Sequence, residues 1–550
     1  MKKILTIVVF FIINGAFSEI IRLNAPDAGE KTIEKIVTKE KKSVVCIEVP
    51  ACDVQMMWMP SWRVPRQERK WLLTHNSAPQ LSMPYVAYFN AVGRNSFSIG
   101  VSALENDVNV ESKLNQEKGV WCVTITVAVQ QDEEIQPYFI TMDRRQKDWA
   151  QVLSDWRKSL KFENGNYPQD AWEPTYCSWY ARHADITQDW VERTAEIAAE
   201  LGFKTFILDD GWSYDDRKRV SPQTIVDWYQ DVGKWDVFSK KKFPDFKTHR
   251  EKIRALGINY IVWTAPYFVG TRTLAYTQYG FDKKSDKPFE GNVLASPLDT
   301  EYMKSVDDQL VKLLKDSDLD GLKIDFLDSI APSVEKPLGQ KTHAYLKNLM
   351  AKLRKVKPNG LFEFRQGYAT PITASLATQF RAGDVPFEWL PNLLRIAQIR
   401  LTMGDKVPIH SDPIFWSIYE TEDNINRHFL ASMAGVPMLS IDLESLSAKH
   451  KDLVKKWIDF YNANVKKFQL NGEWKVKYLT SSLQYVTSAI GNEILVIVND
   501  PGVMDQIASL INNKKAVVLN LTYSELDFEG GRKVPPANAA IFNLNSAHGD

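Results

Sequence analysis

The feature of this sequence that most constrains its fold is a regular alternation of two kinds of segment between Trp172 and Leu443. Short apolar runs, bounded by polar or turn residues, have the length and composition of buried strands. The segments between them repeat apolar residues every three or four positions, as amphipathic helices do; clear examples are 189–203, 301–317 and 342–356. The predicted strands are 175–179, 205–210, 259–266, 321–328, 361–367, 379–384, 406–412 and 437–443.

Eight such units within roughly 270 residues are typical of a (β/α)8 TIM barrel, an α/β fold. A doubly wound open sheet is the structural alternative, but that fold usually contains a Gly-rich phosphate-binding turn, which this sequence lacks. We therefore predict a (β/α)8 barrel over residues 172–466.

The segments on either side of the predicted barrel have a different pattern. A chain of 550 residues is too long for one ordinary core, which favours two or three domains. Apolar and polar residues alternate within 19–147, which predicts an N-terminal antiparallel β-sandwich domain. Residues 148–171 begin with helical spacing and are predicted to be a helical linker. The strand pattern returns at 467–550, which predicts a C-terminal antiparallel β domain.

The N-terminus has the three parts of a secretory signal peptide. Two lysines precede an apolar run from Ile4 to Ile13, and Ala16, Phe17 and Ser18 form a small-residue cleavage site. This run is too short to span a membrane comfortably, and no later segment approaches about 18 apolar residues. We predict a signal peptide over 1–18 and an exported protein, periplasmic or secreted, without membrane insertion.

Net charge, histidine spacing and cysteine content bear on nucleic-acid binding, metal binding and disulfides. Lys+Arg 68 and Asp+Glu 68 balance to a formal net charge of +0, which does not favour binding to nucleic acid. No metal-ligand spacing is present, and the eight histidines are scattered, so we predict neither a metal nor a cofactor. Cys46 and Cys52 are close enough in sequence to pair, whereas Cys177 is predicted to be a buried thiol.

Polar side chains gather at the carboxyl ends of the predicted strands, where a barrel places its catalytic groups. Any one of them could cap a helix or form a loop ion pair, but these roles explain the whole set poorly. The set consists of Asp209, Asp210, Lys323, Asp325, Glu363, Arg365, Arg381, Asp384, His410 and Asp412.

A ring of carboxylates without metal-ligating histidines suits glycoside chemistry, in which one carboxylate attacks and another protonates the leaving oxygen. Asp325 shares a strand face with Lys323, and the positive charge of Lys323 would keep the Asp325 carboxylate ionised. Asp325 is therefore the predicted nucleophile. Asp384 lies in a loop three residues after Arg381 and is the predicted acid/base.

Tryptophans and one long loop also lie close to these strand ends. Trp212, Trp263, Trp389 and Trp416 could stack on a sugar, although burial in the core is at least as good an explanation for each. The segment 267–300 after the third strand is longer than usual and is predicted to wall the pocket.

Three motifs on successive strands carry a resemblance to a known family. They are "LDDGW" (208–212), "LKIDF" (322–326) and "RAGD" (381–384), with weaker support from "SWY" (178–180) and "FPDF" (243–246). The region from Pro174 to Leu443 resembles glycoside hydrolase family 36, the melibiase-type α-galactosidases, in a clan shared with family 27 and raffinose synthases. The resemblance implies a retaining exo-α-galactosidase that acts on an oligosaccharide or glycan.

The resemblance also implies residue roles. Asp325 would form a β-galactosyl-enzyme, and Asp384 would donate a proton and then activate water. Asp209 and Asp210 would bind the galactose O4 and O6 hydroxyls. Lys323 would contact O3 or O4, and Arg381 would lie near O2. The further candidate substrate contacts are Trp212, Trp263 and Arg365.

The sequence departs from the family after the fifth strand, where "EFRQGYATP" (363–371) replaces the usual Cys- and Gly-rich stretch. The sixth-strand motif also differs from the common form, and the N-terminal β domain is shorter. These differences bear on recognition at O2. An α-N-acetylgalactosaminidase or a transglycosylase of the same clan is therefore the alternative, and a non-catalytic glycan-binding protein is a further one.

Overall fold

A computed structural model of the chain describes residues 8–13, 16–60, 71–162, 165–284, 287–479, 482–528 and 531–543. Part of the predicted signal peptide, residues 1–7, 14 and 15, lies outside these ranges, and that peptide stays a prediction. None of the helices in the described part of the chain has the length and apolar character that a membrane crossing requires.

Two sheets face each other in the N-terminal part, in the orders β1-β2-β4-β10-β9-β6 and β3-β11-β8-β7-β5. Apolar residues of both sheets alternate inward and form one shared core, which includes Val45, Ile99 and Trp121. Among the described strands of this part, all pairings are antiparallel except β2 with β4, which is parallel. The strands are β1 (Val8–Ile13), β2 (Ala16–Asn24), β3 (Lys31–Ile36), β4 (Lys42–Pro50), β5 (Met56–Trp58), β6 (Leu72–Ser77), β7 (Tyr85–Phe89), β8 (Asn95–Val101), β9 (Asp107–Asn115), β10 (Val120–Ala128) and β11 (Tyr138–Asp143).

An eight-stranded parallel sheet follows, in the order β20-β19-β18-β17-β14-β13-β12-β21. A parallel bridge connects His410 of β20 to Val436, two residues before β21, so the sheet is a nearly closed barrel. The predicted fold and its eight strands are confirmed. The strands of this region are β12 (Thr175–Cys177), β13 (Thr205–Leu208), β14 (Asn259–Thr264), β15 (Phe268–Gly270), β16 (Asn292–Leu294), β17 (Gly321–Ile324), β18 (Leu361–Arg365), β19 (Gln379–Arg381), β20 (Ile409–His410) and β21 (Met438–Leu439).

Helices cover the outside of the barrel, and this explains why its strands are apolar on both faces. All four residues of β13, for example, are buried. The helices are α1 (Trp149–Ser159), α2 (Trp179–Arg182), α3 (Gln188–Glu200), α4 (Phe246–Ala255), α5 (Leu274–Gln278), α6 (Thr300–Asp316), α7 (Gly339–Val356), α8 (Trp389–Met403), α9 (Glu422–Ser432), α10 (Ala448–Phe460) and α11 (Lys466–Asn471).

The long segment after β14 contains structure of its own. Within it β15 and β16 form an antiparallel hairpin around α5. Phe268 of this hairpin stacks on Phe326, the residue after Asp325, with ring centroids 4.7 Å apart. The segment therefore supports one side of the site.

The C-terminal part is a sheet in the order β22-β23-β24-β25-β28, beside a small hairpin of β26 and β27. It is antiparallel as predicted except for β24 and β25, which run parallel. A parallel connection needs a crossover, and here α12 (Met504–Ile511) provides it. The strands are β22 (Glu473–Leu479), β23 (Ser482–Ile490), β24 (Glu493–Val498), β25 (Lys515–Asn520), β26 (Leu526–Phe528), β27 (Arg532–Val534) and β28 (Asn538–Phe542).

One carboxylate connects the N-terminal sheets to the barrel. Asp107, at the start of β9, is buried and accepts hydrogen bonds from the backbone N–H groups of Ser333 (2.8 Å), Leu338 (2.7 Å) and Gly339 (2.6 Å). The last two begin α7, whose own N-cap residue, Leu338, makes no side-chain cap. Asp107 thus caps a barrel helix from the neighbouring domain.

The four cysteines are free. Cys46 and Cys52 are not bonded to each other. Cys177 is fully buried, as predicted, and its thiol donates to Asp209 Oδ2 over 3.2 Å.

Candidate active site

Most of the predicted site residues meet at the carboxyl-terminal rim of the barrel. Asp325 follows β17, Asp209 and Asp210 follow β13, and Asp384 lies three residues beyond β19. Parallel strands end at one rim, so residues far apart in sequence are brought into contact. Lys323 joins two of these strand ends, with Nζ 2.7 Å from Asp209 Oδ2 and 3.8 Å from Asp325 Oδ2.

The carboxylate of Asp325 is buried, and two of its hydrogen-bond donors are neutral groups. Its Oδ1 accepts the backbone N–H of Phe326 over 2.9 Å, and its Oδ2 accepts the indole N–H of Trp263 over 3.2 Å. Phe326 adopts a left-handed φ of 58°, uncommon for a bulky side chain, which turns the chain sharply after the carboxylate. Strain of this kind at a strand end is typical of functional positions.

Three cations surround Asp325. Arg365 Nη1 lies 3.4 Å from Oδ1, and Arg381 Nη2 lies 3.7 Å from Oδ2; Lys323 is the third. Burial alone would raise the pKa of Asp325, but the charges of Arg365, Lys323 and Arg381 outweigh it and lower that pKa below 3.8. The carboxylate is therefore ionised at neutral pH, as a nucleophile must be.

Asp384 is bound to two of the same cations. Arg381 Nη1 donates to its Oδ1 over 2.8 Å, and Arg365 Nη2 donates to its Oδ2 over 2.9 Å. Its side chain is 45% exposed, in contrast to Asp325. Burial opposes ionisation of Asp384, but Arg365 and Arg381 hold its pKa well below its ordinary value. Two arginines thus connect the predicted nucleophile and the predicted acid/base.

The adjacent pair Asp209 and Asp210 is buried and has different partners. Asp209 is bonded to Lys323, whereas Asp210 Oδ2 accepts the indole N–H of Trp228 (2.7 Å) and the hydroxyl of Tyr214 (3.1 Å). Burial raises the pKa of Asp210 to about 6, although the hydrogen bond from Trp228 lowers it. The pKa of Asp210 thus lies above the ordinary range of an aspartate.

The structure does not place every predicted contact at the pocket. Trp212 is fully buried, and its indole N–H donates to the backbone carbonyl of Trp263 over 2.8 Å. It has no exposed surface with which to stack on a ligand, so it supports the wall from behind. Trp416 is buried as well, whereas Trp389 is only partly buried. Trp263, in contrast, touches Asp325.

Other groups in the site received no role from the sequence. Asp412, Tyr180, Trp228 and Asp328 all lie next to the predicted residues. Asp412 and Asp328 were visible as acids near strand ends, but nothing in their sequence neighbourhood indicated their partners. Trp228 lies 18 positions after the aspartate it contacts, in a loop without any regular pattern.

A metal site requires several ligand side chains close together. Within the described ranges, no group of three or more His, Cys, Asp or Glu side chains could hold a metal ion. His410, at the end of β20, donates from Nε2 to the carbonyl of Ala171 over 2.8 Å, and burial lowers its pKa to about 4.

The comparison with known families agrees with this geometry. Residues 150–356 match the family model described as Melibiase, and this range contains Asp209, Asp210 and Asp325. This part of the chain is therefore similar to the melibiase family.

Curated proteins that are similar to this chain are named α-galactosidases. Alpha-galactosidase 1 of Pediococcus pentosaceus is 24% identical over 310 residues, which cover 52% of this chain and 40% of the relative. Alpha-galactosidase Mel36A of Lactobacillus acidophilus is 25% identical over 316 residues, with the same coverage. The chain therefore spans less than half the length of these relatives.

Solved structures of family 36 share the fold. The α-galactosidase AgaA of Geobacillus stearothermophilus superposes with a TM-score of 0.62 at 15% identity, covering 81% of this chain and 66% of that one. Variants of AgaA are described in complex with raffinose and with stachyose. TtGalA of Thermus thermophilus superposes with a TM-score of 0.55 at 14% identity, covering 82% of this chain and 99% of that one.

Proposed function

We propose that the protein is a retaining exo-α-galactosidase that removes terminal α-linked galactose from an oligosaccharide or glycan. The observation that carries the proposal is the arrangement of Asp325 and Asp384: a buried, ionised carboxylate and a half-exposed one, joined by Arg365 and Arg381 at the barrel rim. Two carboxylates with different environments are what double displacement requires.

In the first step, Asp325 attacks C1 of the galactose unit while the bond from C1 to the leaving oxygen breaks. Asp384 gives its proton to that oxygen, and Asp325 becomes an ester. In the second step, water attacks C1, Asp384 takes a proton from it, and the bond to Asp325 breaks. Galactose leaves with the configuration it had in the substrate.

The charges around Asp384 change during this cycle in the direction that each step needs. Before the first step, ionised Asp325 repels the negative form of Asp384 and so offsets part of the stabilisation by Arg365 and Arg381, which lower the pKa of Asp384. Once Asp325 is an ester its charge is gone, and Arg365 and Arg381 favour the carboxylate form of Asp384. That form is the base that accepts a proton from water.

Recognition of the sugar falls to the acids after β13. A buried carboxylate that accepts hydroxyl hydrogens rejects a sugar whose hydroxyl points elsewhere, because the carboxylate then stays unpaired. Asp209 and Asp210 are proposed to accept from O4 and O6, with Lys323 at O3 or O4 and Arg381 near O2. The same architecture could serve an α-N-acetylgalactosaminidase, a transglycosylase or a non-catalytic binder.

A panel of nitrophenyl glycosides separates these functions. The protein is incubated with the α-galactoside, the α-N-acetylgalactosaminide and the α-glucoside, and nitrophenol release is measured. Turnover of the α-galactoside alone supports the proposal. Turnover of only the acetamido sugar reassigns the substrate, and turnover of only the glucoside contradicts the galactose assignment. Binding of galactose without any turnover supports the non-catalytic alternative.

Export is a separate proposal, based on the signal-peptide pattern over 1–18. The pairing of β2 with β4 begins at Glu19, so cleavage after Ser18 leaves every pair of these strands in place. N-terminal sequencing of the protein from the periplasm or the medium tests this proposal. A mature chain that begins near Glu19 supports it, and an uncleaved chain in the cytoplasm contradicts it.

A further inference from the structure

Asp412 lies beyond the end of β20 and is fully buried beside Asp384. Its Oδ1 accepts from Arg381 Nη1 over 2.6 Å. Its Oδ2 accepts the backbone N–H of Val385 over 2.7 Å and the hydroxyl of Tyr180 over 3.1 Å. A fully buried carboxylate with this many hydrogen-bond partners is a structural part of the site.

Asp412 and Asp384 share one donor group. Arg381 Nη1 donates to Asp384 Oδ1 over 2.8 Å and to Asp412 Oδ1 over 2.6 Å. A guanidinium that is divided between two carboxylates stabilises the charge of each less than if it served one alone. Asp412 therefore reduces the stabilisation that Arg381 gives to the negative charge of Asp384.

Asp412 also fixes the loop that carries Asp384. Val385, the next residue along the chain, donates its N–H to the Asp412 side chain. Asn392 of α8 binds the backbone of Asp412 twice: its amide N donates to the Asp412 carbonyl, and its Oδ1 accepts the Asp412 N–H, both over 3.0 Å. Asp412 therefore links the loop of Asp384 to α8.

We propose that Asp412 is a positioning residue for the acid/base: it holds the loop of Asp384 and draws the charge of Arg381 away, so that Asp384 can carry the proton that the leaving group needs. This inference rests on the proposed function. Its specific consequence is that loss of the Asp412 charge weakens Asp384 as an acid without weakening Asp325 as a nucleophile.

The groups that face Asp412 come from several elements. Arg381 ends β19, and Asp384 lies in the loop that follows it. Tyr180 belongs to α2. Arg395 belongs to α8 and interacts electrostatically with both Asp384 and Asp412. Burial raises the pKa of Asp412 to about 7, while Arg381 and the Tyr180 hydrogen bond lower it. Removing the Tyr180 hydroxyl would therefore favour the neutral form of Asp412.

The test is the dependence of kcat/KM on the leaving group. Aryl α-galactosides with good leaving groups need little help from an acid, whereas those with poor leaving groups depend on it. We expect Asp412→Asn to increase the ratio of kcat/KM for a dinitrophenyl over a phenyl α-galactoside by about tenfold or more. Asp307→Asn is the matched control: Asp307 is also buried, but it pairs with Lys352 on the outside of the barrel.

The outcomes are distinct. A wild-type ratio in Asp412→Asn, or an equal loss on both substrates, overturns the inference, because a merely structural defect lowers all rates alike. In an Asp384→Gly background, adding Asp412→Asn should leave the ratio unchanged. If Asp412→Asn fails to fold, Tyr180→Phe should shift the ratio in the same direction by a smaller factor, and no shift contradicts the inference. A wild-type protein that turns over neither galactoside contradicts the proposed function instead.

Discussion

At the residue scale, Asp210 has the property that solution experiments can test most readily. It is buried, its pKa is raised to about 6, and its Oδ2 is occupied by Trp228 and Tyr214. The folded-state pKa of Asp210 lies above 3.8, so ionisation of Asp210 opposes folding. The stability that its neutral form contributes at low pH is therefore lost as pH rises through about 6. The ionised form is nevertheless the one that can accept a sugar hydroxyl.

We therefore expect galactose affinity to fall as pH decreases through about 6, because protons then compete with the sugar for Asp210. Asp412 and Asp328 also have raised pKa values, about 7 and about 6, and a variant is needed to assign the effect. Trp228→Phe removes a donor that lowers the pKa of Asp210, so it should move the midpoint to higher pH. Calorimetric titration with galactose over a pH series measures both effects.

Trp235→Phe is the control for this prediction. Trp235 is another fully buried tryptophan, and its indole nitrogen has no hydrogen-bond partner among the described residues. Its midpoint should equal that of the wild type. A midpoint that does not move in Trp228→Phe, or that moves equally in both variants, contradicts the assignment to Asp210.

Individual site residues differ in how far the sequence predicts them. Asp325 and Lys323 share a strand face, so their proximity follows from the two-residue period of a strand. The ion pairs of Asp384 with Arg365 and Arg381 depend instead on the path of loops. The hydrogen bond from Trp228 to Asp210 depends on a loop as well. For Trp212 the sequence leaves both the pocket and the core open, because a tryptophan at a strand end can point to either with the same sequence pattern, and the structure places it in the core.

At the scale of elements, the turn after β13 depends on Gly211. Its φ is +107°, and a Cβ placed there would lie 2.6 Å from Cα of Ala184. An L side chain is strained in this conformation, and there is no room for it. The glycine thus lets the chain turn directly after the two aspartates.

We expect Gly211→Ala to destabilise the protein through strain of roughly 1–3 kcal/mol and through overpacking of about the same size. Gly257→Ala is the matched control, since Gly257 has a φ of +69° but nothing within 4 Å of its would-be Cβ. That variant should lose only about 1–2 kcal/mol. Urea unfolding followed by tryptophan fluorescence measures both, and equal losses would contradict the close approach to Ala184.

The elements themselves were well predicted where the pattern is strong. Predicted helices 301–317 and 342–356 correspond to α6 (Thr300–Asp316) and α7 (Gly339–Val356). The sequence predicts a long segment at 267–300 without the hairpin of β15 and β16, because strands of three residues are too short for any periodicity. The parallel pairing of β24 and β25 was missed because α12, although amphipathic, is only eight residues long.

At the scale of the whole molecule, the N-terminal sheets and the barrel are joined through α7. Asp107 caps its first turn in a buried position, while Asp132 pairs with Lys341 of the same helix over 2.6 Å at the surface. No sequence pattern indicates such a contact, since Asp107 and Gly339 are 232 positions apart. The predicted domain boundaries stay predictions.

We expect Asp107→Ala to lower the free energy of unfolding by roughly 2–3 kcal/mol, because it leaves buried N–H groups of the barrel without an acceptor. Asp132→Ala at the same interface should cost less than about 1 kcal/mol, since its ion pair is exposed to solvent. Thermal and urea unfolding of the full chain compare the two. If both variants are as stable as the wild type, Asp107 does not hold the domains together.

The central claim, that Asp325 is the nucleophile of a retaining α-galactosidase, is tested most directly by trapping its ester. In Asp384→Gly, a dinitrophenyl α-galactoside should still react with Asp325, but the ester should accumulate because no base activates water. Mass spectrometry of the quenched protein should then find one added hexosyl group, on the peptide that contains Asp325. An adduct on another residue, or turnover by Asp325→Gly at the wild-type rate, would contradict the account.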